Sequence, residues 1–108
     1  MKYNVNLTHS AEEDLFEIYR YGFTNDAKDK AEELYSRLYE KCIALREYPH
    51  HGYVPSELSS VGMDGFLEST CEPYRIIYQV IGKEVFIHCI LDGRRDVEKL
   101  LYEKLIRE

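Results

Sequence analysis

The chain has 108 residues, 44% of them hydrophobic and 31% charged, with a formal net charge of −6 from 14 basic and 20 acidic side chains. That length suits one domain, spanning 1–108, which can bury a modest core without metal or disulfide. It holds no apolar run long enough for a transmembrane helix, and its acidic balance counts against broad electrostatic binding to nucleic acid.

The opening, MKYNVNLTHS, is too short and polar for the apolar core of a signal peptide, so a cytoplasmic location is expected. Within it, Tyr3, Val5 and Leu7 alternate with Lys2, Asn4 and Asn6, which predicts a strand with one buried face. A helix start follows. Ser10 with Glu13 reads as a capping box, and Glu12, Glu13 and Asp14 suit the positive end of the helix dipole. Ala11, Leu15, Ile18, Tyr19 and Gly22 then share one helical face. FTND breaks the pattern. A second helix is expected from about Ala27 to Glu47, with Ala27, Ala31, Leu34, Leu38, Cys42 and Leu45 on its inner stripe. The short break makes the pair an antiparallel helical hairpin.

YPHHGYVP ends the hairpin, because Pro49 cannot continue a helix. Glu57–Gly65 is polar and reads as irregular. Phe66–Thr70, Tyr74–Ile81 and Glu84–Leu91 read as strands, with Gly82 free to take positive φ in the turn between the last two. Alternation predicts Val85, Ile87, Cys89 and Leu91 on one face of the final strand, and Phe86, His88 and Ile90 on the other. A last helix starts near Arg94, with Val97, Leu100, Leu101 and Leu105 inward. The fold expected is α+β: about four strands, antiparallel with a mixed edge, packed by helices on one face, in the order β-α-α-β-β-β-α. The first strand is expected at an edge or beside the final strands.

Charge is uneven along the chain. Residues 1–71 carry 7 basic and 13 acidic side chains, whereas 72–95 carry 4 and 3. The weak positive excess therefore sits on the last two strands, at Arg75, Arg94 and Arg95. Cys42, Cys71 and Cys89 are odd in number and lack CxxC spacing, which points to reduced thiols and away from a disulfide framework or zinc site. No cofactor or metal is expected.

VNLTHSAEEDLFEIYRY, LREYPHHG, YRIIYQV and DGRRD, in that order across nearly the whole chain, resemble the RelE/ParE superfamily of toxins from type II toxin–antitoxin modules. The resemblance implies a cognate antitoxin that wraps the toxin, and growth inhibition when the toxin is free. It implies one of two activities. RelE-like members are ribosome-dependent mRNA endonucleases, and ParE-like members inhibit DNA gyrase and are associated with plasmid stabilisation. The ParE-like branch is the expectation here, with no enzymatic activity. A non-toxic or decayed module that still binds a partner is a further alternative.

Cleavage of RNA by its own 2′-hydroxyl needs a base, an acid and cations around the phosphorane. By the resemblance, Arg75 is the sheet arginine common to both branches: a phosphate clamp, or an ion-pair partner of Glu68 or Glu72. Arg95 occupies a basic position of the nuclease branch, although GRRD looks like the ParE-type ending. Arg94 and Arg95 sit against the dipole at a helix start, which points either to a binding partner or to ion pairs with Asp92 or Asp96. The nuclease tyrosine falls near Leu101 on an inward face, and Tyr102 points about 100° away from it. The loop SELSSVGMDG carries no basic residue. His88 is either a general base or a half-buried, hydrogen-bonded histidine. His50 and His51 lack a third metal ligand, and His9 is expected in solvent. Arg75, Arg94 and Arg95 are therefore the candidate target- or antitoxin-binding residues. Arg75, Arg95, His88 and Tyr102 are the catalytic set if the chain is a nuclease. Of the ten tyrosines, Tyr19, Tyr35 and Tyr78 are expected inside. Tyr21, Tyr39, Tyr48, Tyr53 and Tyr102 are expected outside, as anchors for a protein partner.

Overall fold

A computed structural model describes residues 2–25 and 27–106. Strand β1 (Asn4–Leu7) leads into helices α1 (His9–Asn25) and α2 (Lys28–Ile43). Two 3₁₀ turns, Ala44–Arg46 and Pro49–His51, and a one-turn helix α3 (Ser56–Ser59) follow. Then come β2 (Phe66–Cys71), β3 (Tyr74–Ile81), β4 (Glu84–Asp92) and α4 (Val97–Leu101), which widens into a π-type turn over Tyr102–Ile106. The expected order holds, with α3 added inside the stretch read as irregular. Asp26, the last residue of the expected FTND break, lies outside the described residues, and α1 runs through Phe23 and Thr24.

The sheet order is β1-β4-β3-β2, with β1 parallel to β4 and the other pairs antiparallel. The first strand is therefore both at an edge and beside the last strand, the two places expected for it. Helix α1 starts earlier than the capping box implies. The cap is Thr8, whose Oγ1 accepts the Ala11 N–H at 3.2 Å and donates to the Ile87 carbonyl at 2.9 Å. That second bond to β4 favours Thr8 over Ser10 as the cap. Where α1 meets α2, Gly22 lies against Ala31, so close that a Cβ on it would be 3.3 Å from the Ala31 Cβ.

Two separate cores lie on opposite faces of the sheet, where the sequence predicted helices on one face only. On β3, Ile76 and Tyr78 join Ala11, Leu15, Leu38, Cys42 and Leu45 of the helical hairpin. Ile77, on the other face, joins Leu58, Cys89, Leu91, Val97 and Leu101 under α3 and α4. The predicted inner face of β4 divides between the two. The pairing register shifts between Ile77, opposite Cys89, and Tyr78, opposite Ile87. This bulge leaves His88 as the extra residue. Val85, Ile87 and Ile90 therefore serve the hairpin core, while Cys89 and Leu91 serve the α3/α4 core.

Tyr78 fixes the end of the helical hairpin to the sheet, its hydroxyl donating to the Pro49 carbonyl at 2.6 Å. Tyr19 is half-buried as expected, whereas Tyr35 is exposed on the outer face of α2 instead of inside. The five tyrosines expected outside are all exposed.

Candidate functional site

Arg75 projects from β3 on the α3/α4 face, paired in register with Leu91 and Thr70. Burial of Leu58 seats α3 over this face and brings Glu57 onto the guanidinium. Nη1 and Nη2 donate to the two Glu57 carboxylate oxygens at 2.7 and 2.8 Å. Nε and Nη2 donate to the two oxygens of Glu68 on β2 at 2.9 and 2.6 Å. Four of the five N–H groups of the fork are thus committed to two carboxylates. The Glu57 hydrogen bonds, then those of Glu68, raise the Arg75 pKa further, and the Arg75 hydrogen bond holds the Glu57 carboxyl below its usual range. Glu72, the other partner expected for Arg75, makes no bond to it. Gly93 completes the site: a Cβ there would sit 2.9 Å from the Pro73 carbonyl and 3.3 Å from the Arg75 Cδ. The chain can cross the arginine stem only without a side chain.

Arg94 and His88 do not gather around Arg75, whereas Tyr102 shares a cleft with its partner Glu57. Arg94 forms a fork-to-fork pair with Asp92, Nε to Oδ1 at 3.0 Å and Nη2 to Oδ2 at 2.8 Å. Asp92 is paired with Tyr74, which packs against the hairpin core, so Arg94 and Arg75 serve opposite faces of the sheet. Asp96 caps α4, accepting the Lys99 N–H at 3.2 Å. Arg95 is exposed, and its side chain makes no hydrogen bond or ion pair among the described residues.

His88 sits at the bulge, its Nε2 2.8 Å from the Gln79 Oε1 and its ring edge-on to Phe66 at 5.5 Å. Burial pushes its pKa below the ordinary value. Gln79 is four residues along β3 from Arg75, about 13 Å at strand rise, so His88 is not the partner base of that arginine.

Tyr102 lies on the wall of a cleft of about 510 Å³ between α3 and α4. Glu57, Asp96 and Glu98 line that cleft, with Lys99 as its only basic residue. Glu57 is the site residue that sequence reasoning missed. It stood in a loop notable only for lacking cations, and its partner is 18 residues away. Among the described residues, no three His, Cys, Asp or Glu side chains gather to hold a metal ion, and no helix is long and apolar enough to cross a membrane.

Residues 5–97 match the family model described as the ParE toxin of the type II toxin–antitoxin system parDE. No curated protein matches the chain. Among solved structures, the chain is similar to the chromosomal ParDE toxin–antitoxin system from P. aeruginosa, at 23% identity and TM-score 0.69 over 82% of this chain and 94% of that one. It is similar to the RelBE2 toxin–antitoxin complex from Mycobacterium tuberculosis, at 17% identity and TM-score 0.62 over 83% and 96%. It is also similar to a variant of the E. coli toxin RelE in the free state, at 17% identity and TM-score 0.63 over 99% and 98%. At these identities the solved structures share the fold.

Proposed function

Because this chain belongs to the ParE toxin family of type II toxin–antitoxin systems, we propose that it arrests growth in the cytoplasm by binding a protein target, DNA gyrase, without cleaving RNA. The observation that carries this reading is the commitment of Arg75 to Glu57 and Glu68. Two carboxylates around one guanidinium leave a local charge of about −1, so a phosphate drawn there would have to displace Glu57 first. The groups in contact with that arginine are acidic, His88 is held by Gln79 instead, and Tyr102 opens onto a cleft lined by Glu57, Asp96 and Glu98 against Lys99. RNA cleavage needs cations around the charged phosphorane, which this acidic setting disfavours.

A cognate antitoxin is the natural second partner, since the similar ParDE and RelBE2 structures are described as toxin–antitoxin assemblies. Arg95 is the open arginine of the DGRRD stretch and the residue best placed to meet a carboxylate from target or antitoxin.

The test is paired pulse labelling of DNA and protein synthesis after the chain is induced alone in bacteria. DNA synthesis failing first supports gyrase as the target. Protein synthesis stopping within minutes while DNA synthesis continues overturns it in favour of an mRNA endonuclease. No growth defect at all would mark a partner-binding module without toxicity.

A further inference from the structure

The two helices of the hairpin carry a second stripe beside the one that faces the core. On α1 it is Phe16, Tyr19 and Phe23; on α2 it is Tyr35, Tyr39 and Ile43, and both stripes recur at the three- and four-residue spacing of a helical contact surface. Phe16 apart, the rings form a continuous ladder across the two helices. Phe23 lies against Tyr19 at 6.1 Å, Tyr19 meets Tyr35 edge-on at 5.8 Å, and Tyr35 stacks on Tyr39 at 6.3 Å with planes 6° apart. Phe16 is 60% exposed, Phe23 49%, Tyr35 39% and Tyr39 44%. Aromatic contacts of this kind hold the rings in one arrangement before any partner arrives, which lowers the entropy lost on docking.

We infer that this face binds the same face of a second copy of the chain, so that two hairpins close into a four-helix arrangement about a two-fold axis. Geometry gives the first argument: a pair of antiparallel helices with an outward apolar seam is completed by another such pair. Area gives the second. At these exposures the four rings alone offer about 400 Å² per copy, half of what a standard interface takes from each partner, and the flanking side chains supply a rim. Charge gives the third. The cations on this rim, Arg20 and Lys28, are already paired with Glu17 and Glu32, so a strongly acidic segment finds no free cation among them. Glu12 and Glu40 leave the rim mildly acidic, a repulsion between two copies that ordinary salt screens. The inference stands apart from the choice of cellular target.

Sedimentation velocity on the purified chain from about 1 to 200 µM tests it, a range that spans the dissociation constants of weak dimers. The expected result is a monomer–dimer equilibrium weakened at least about tenfold by Tyr35→Ser with Tyr39→Ser, and again by Phe16→Ser, with the thermal midpoint little changed because these rings are exposed. A monomer at every concentration overturns the inference, and so does a dimer that both variants leave intact. If the chain alone is monomeric and the same substitutions weaken capture of its antitoxin, the face belongs to the antitoxin instead.

Discussion

The carboxylate of Glu57 and the guanidinium of Arg75 meet in two parallel hydrogen bonds, linking a one-turn helix to the middle of the sheet. The Arg75 side chain is only 18% exposed, so removing it strands two carboxylates in a poorly hydrated place. Arg75→Ala is expected to cost roughly 2–4 kcal/mol in urea unfolding at neutral pH, and Glu57→Gln about 1–2, because Glu68 still serves the arginine. A loss below about 0.5 kcal/mol for Arg75→Ala would reduce the contact to an ordinary surface pair.

Acid should weaken the fold in two stages. Burial sets the His88 pKa in the folded chain below 6.5. Its neutral form is therefore favoured by folding, and its contribution, full above that value, is lost as pH falls beneath it. Glu57 is held below 4.5, first by the Arg75 hydrogen bond, so its contribution is full above 4.5 and is lost at lower pH still. Unfolding midpoints measured from neutral to strongly acidic pH should fall twice, and His88→Gln should remove the first fall and leave the second. An unchanged first fall in that variant would trace it to another group.

Gly52 has an ordinary backbone, φ −69°, but no room. A Cβ there would lie 2.2 Å from the Tyr78 hydroxyl and 2.9 Å from the Glu68 carbonyl. Gly52→Ala is expected to destabilise by about 2–3 kcal/mol. Combining it with Tyr78→Phe, which deletes the obstructing oxygen, should recover part of that loss in a double-mutant cycle. Strict additivity of the two changes would place the strain at the Glu68 carbonyl.

Arg95 separates stability from activity. Its side chain has no hydrogen bond or ion pair to lose among the described residues, so Arg95→Ala should leave the unfolding free energy within about 0.5 kcal/mol. Growth arrest on induction should nevertheless weaken at least about tenfold if the residue contacts the target. Full toxicity at wild-type abundance would remove Arg95 from the binding surface.

The α+β order was legible because Tyr3–Leu7 alternates and Ala11, Leu15 and Ile18 recur at helical spacing, both local signals. The place of β1 followed from the strand count, since a strand made before the helical hairpin has to join a small sheet made after it. The bulge was not legible, because Cys89, Ile90 and Leu91 are all apolar and so carry no phase: either face could claim them. The capping box singled out Ser10, but Thr8 caps the helix, because its hydroxyl also bonds to the Ile87 carbonyl, a tertiary contact. Tyr35 was misplaced because one helical stripe was assumed where α2 carries two. At the candidate site, sequence drew attention to Arg75 but could not supply Glu57, whose position depends on α3 and the burial of Leu58. It also could not tell that Arg75 and Arg94 point to opposite faces, since that follows from where β4 ends and the chain turns at Gly93.

The parallel pairing of β1 with β4 sets a condition on how the chain is made. Val5 is held beside Val85 and Leu7 beside Ile87, so the first strand to leave the ribosome waits for the last. At usual elongation rates that wait is roughly 4–15 s, during which the helical hairpin can form from neighbouring residues while the sheet cannot close. β4 runs over Glu84–Asp92, so the sheet closes well after the helical hairpin has been made. A partner that reads the hairpin can engage the nascent chain early, whereas one that reads the sheet has to wait for β4.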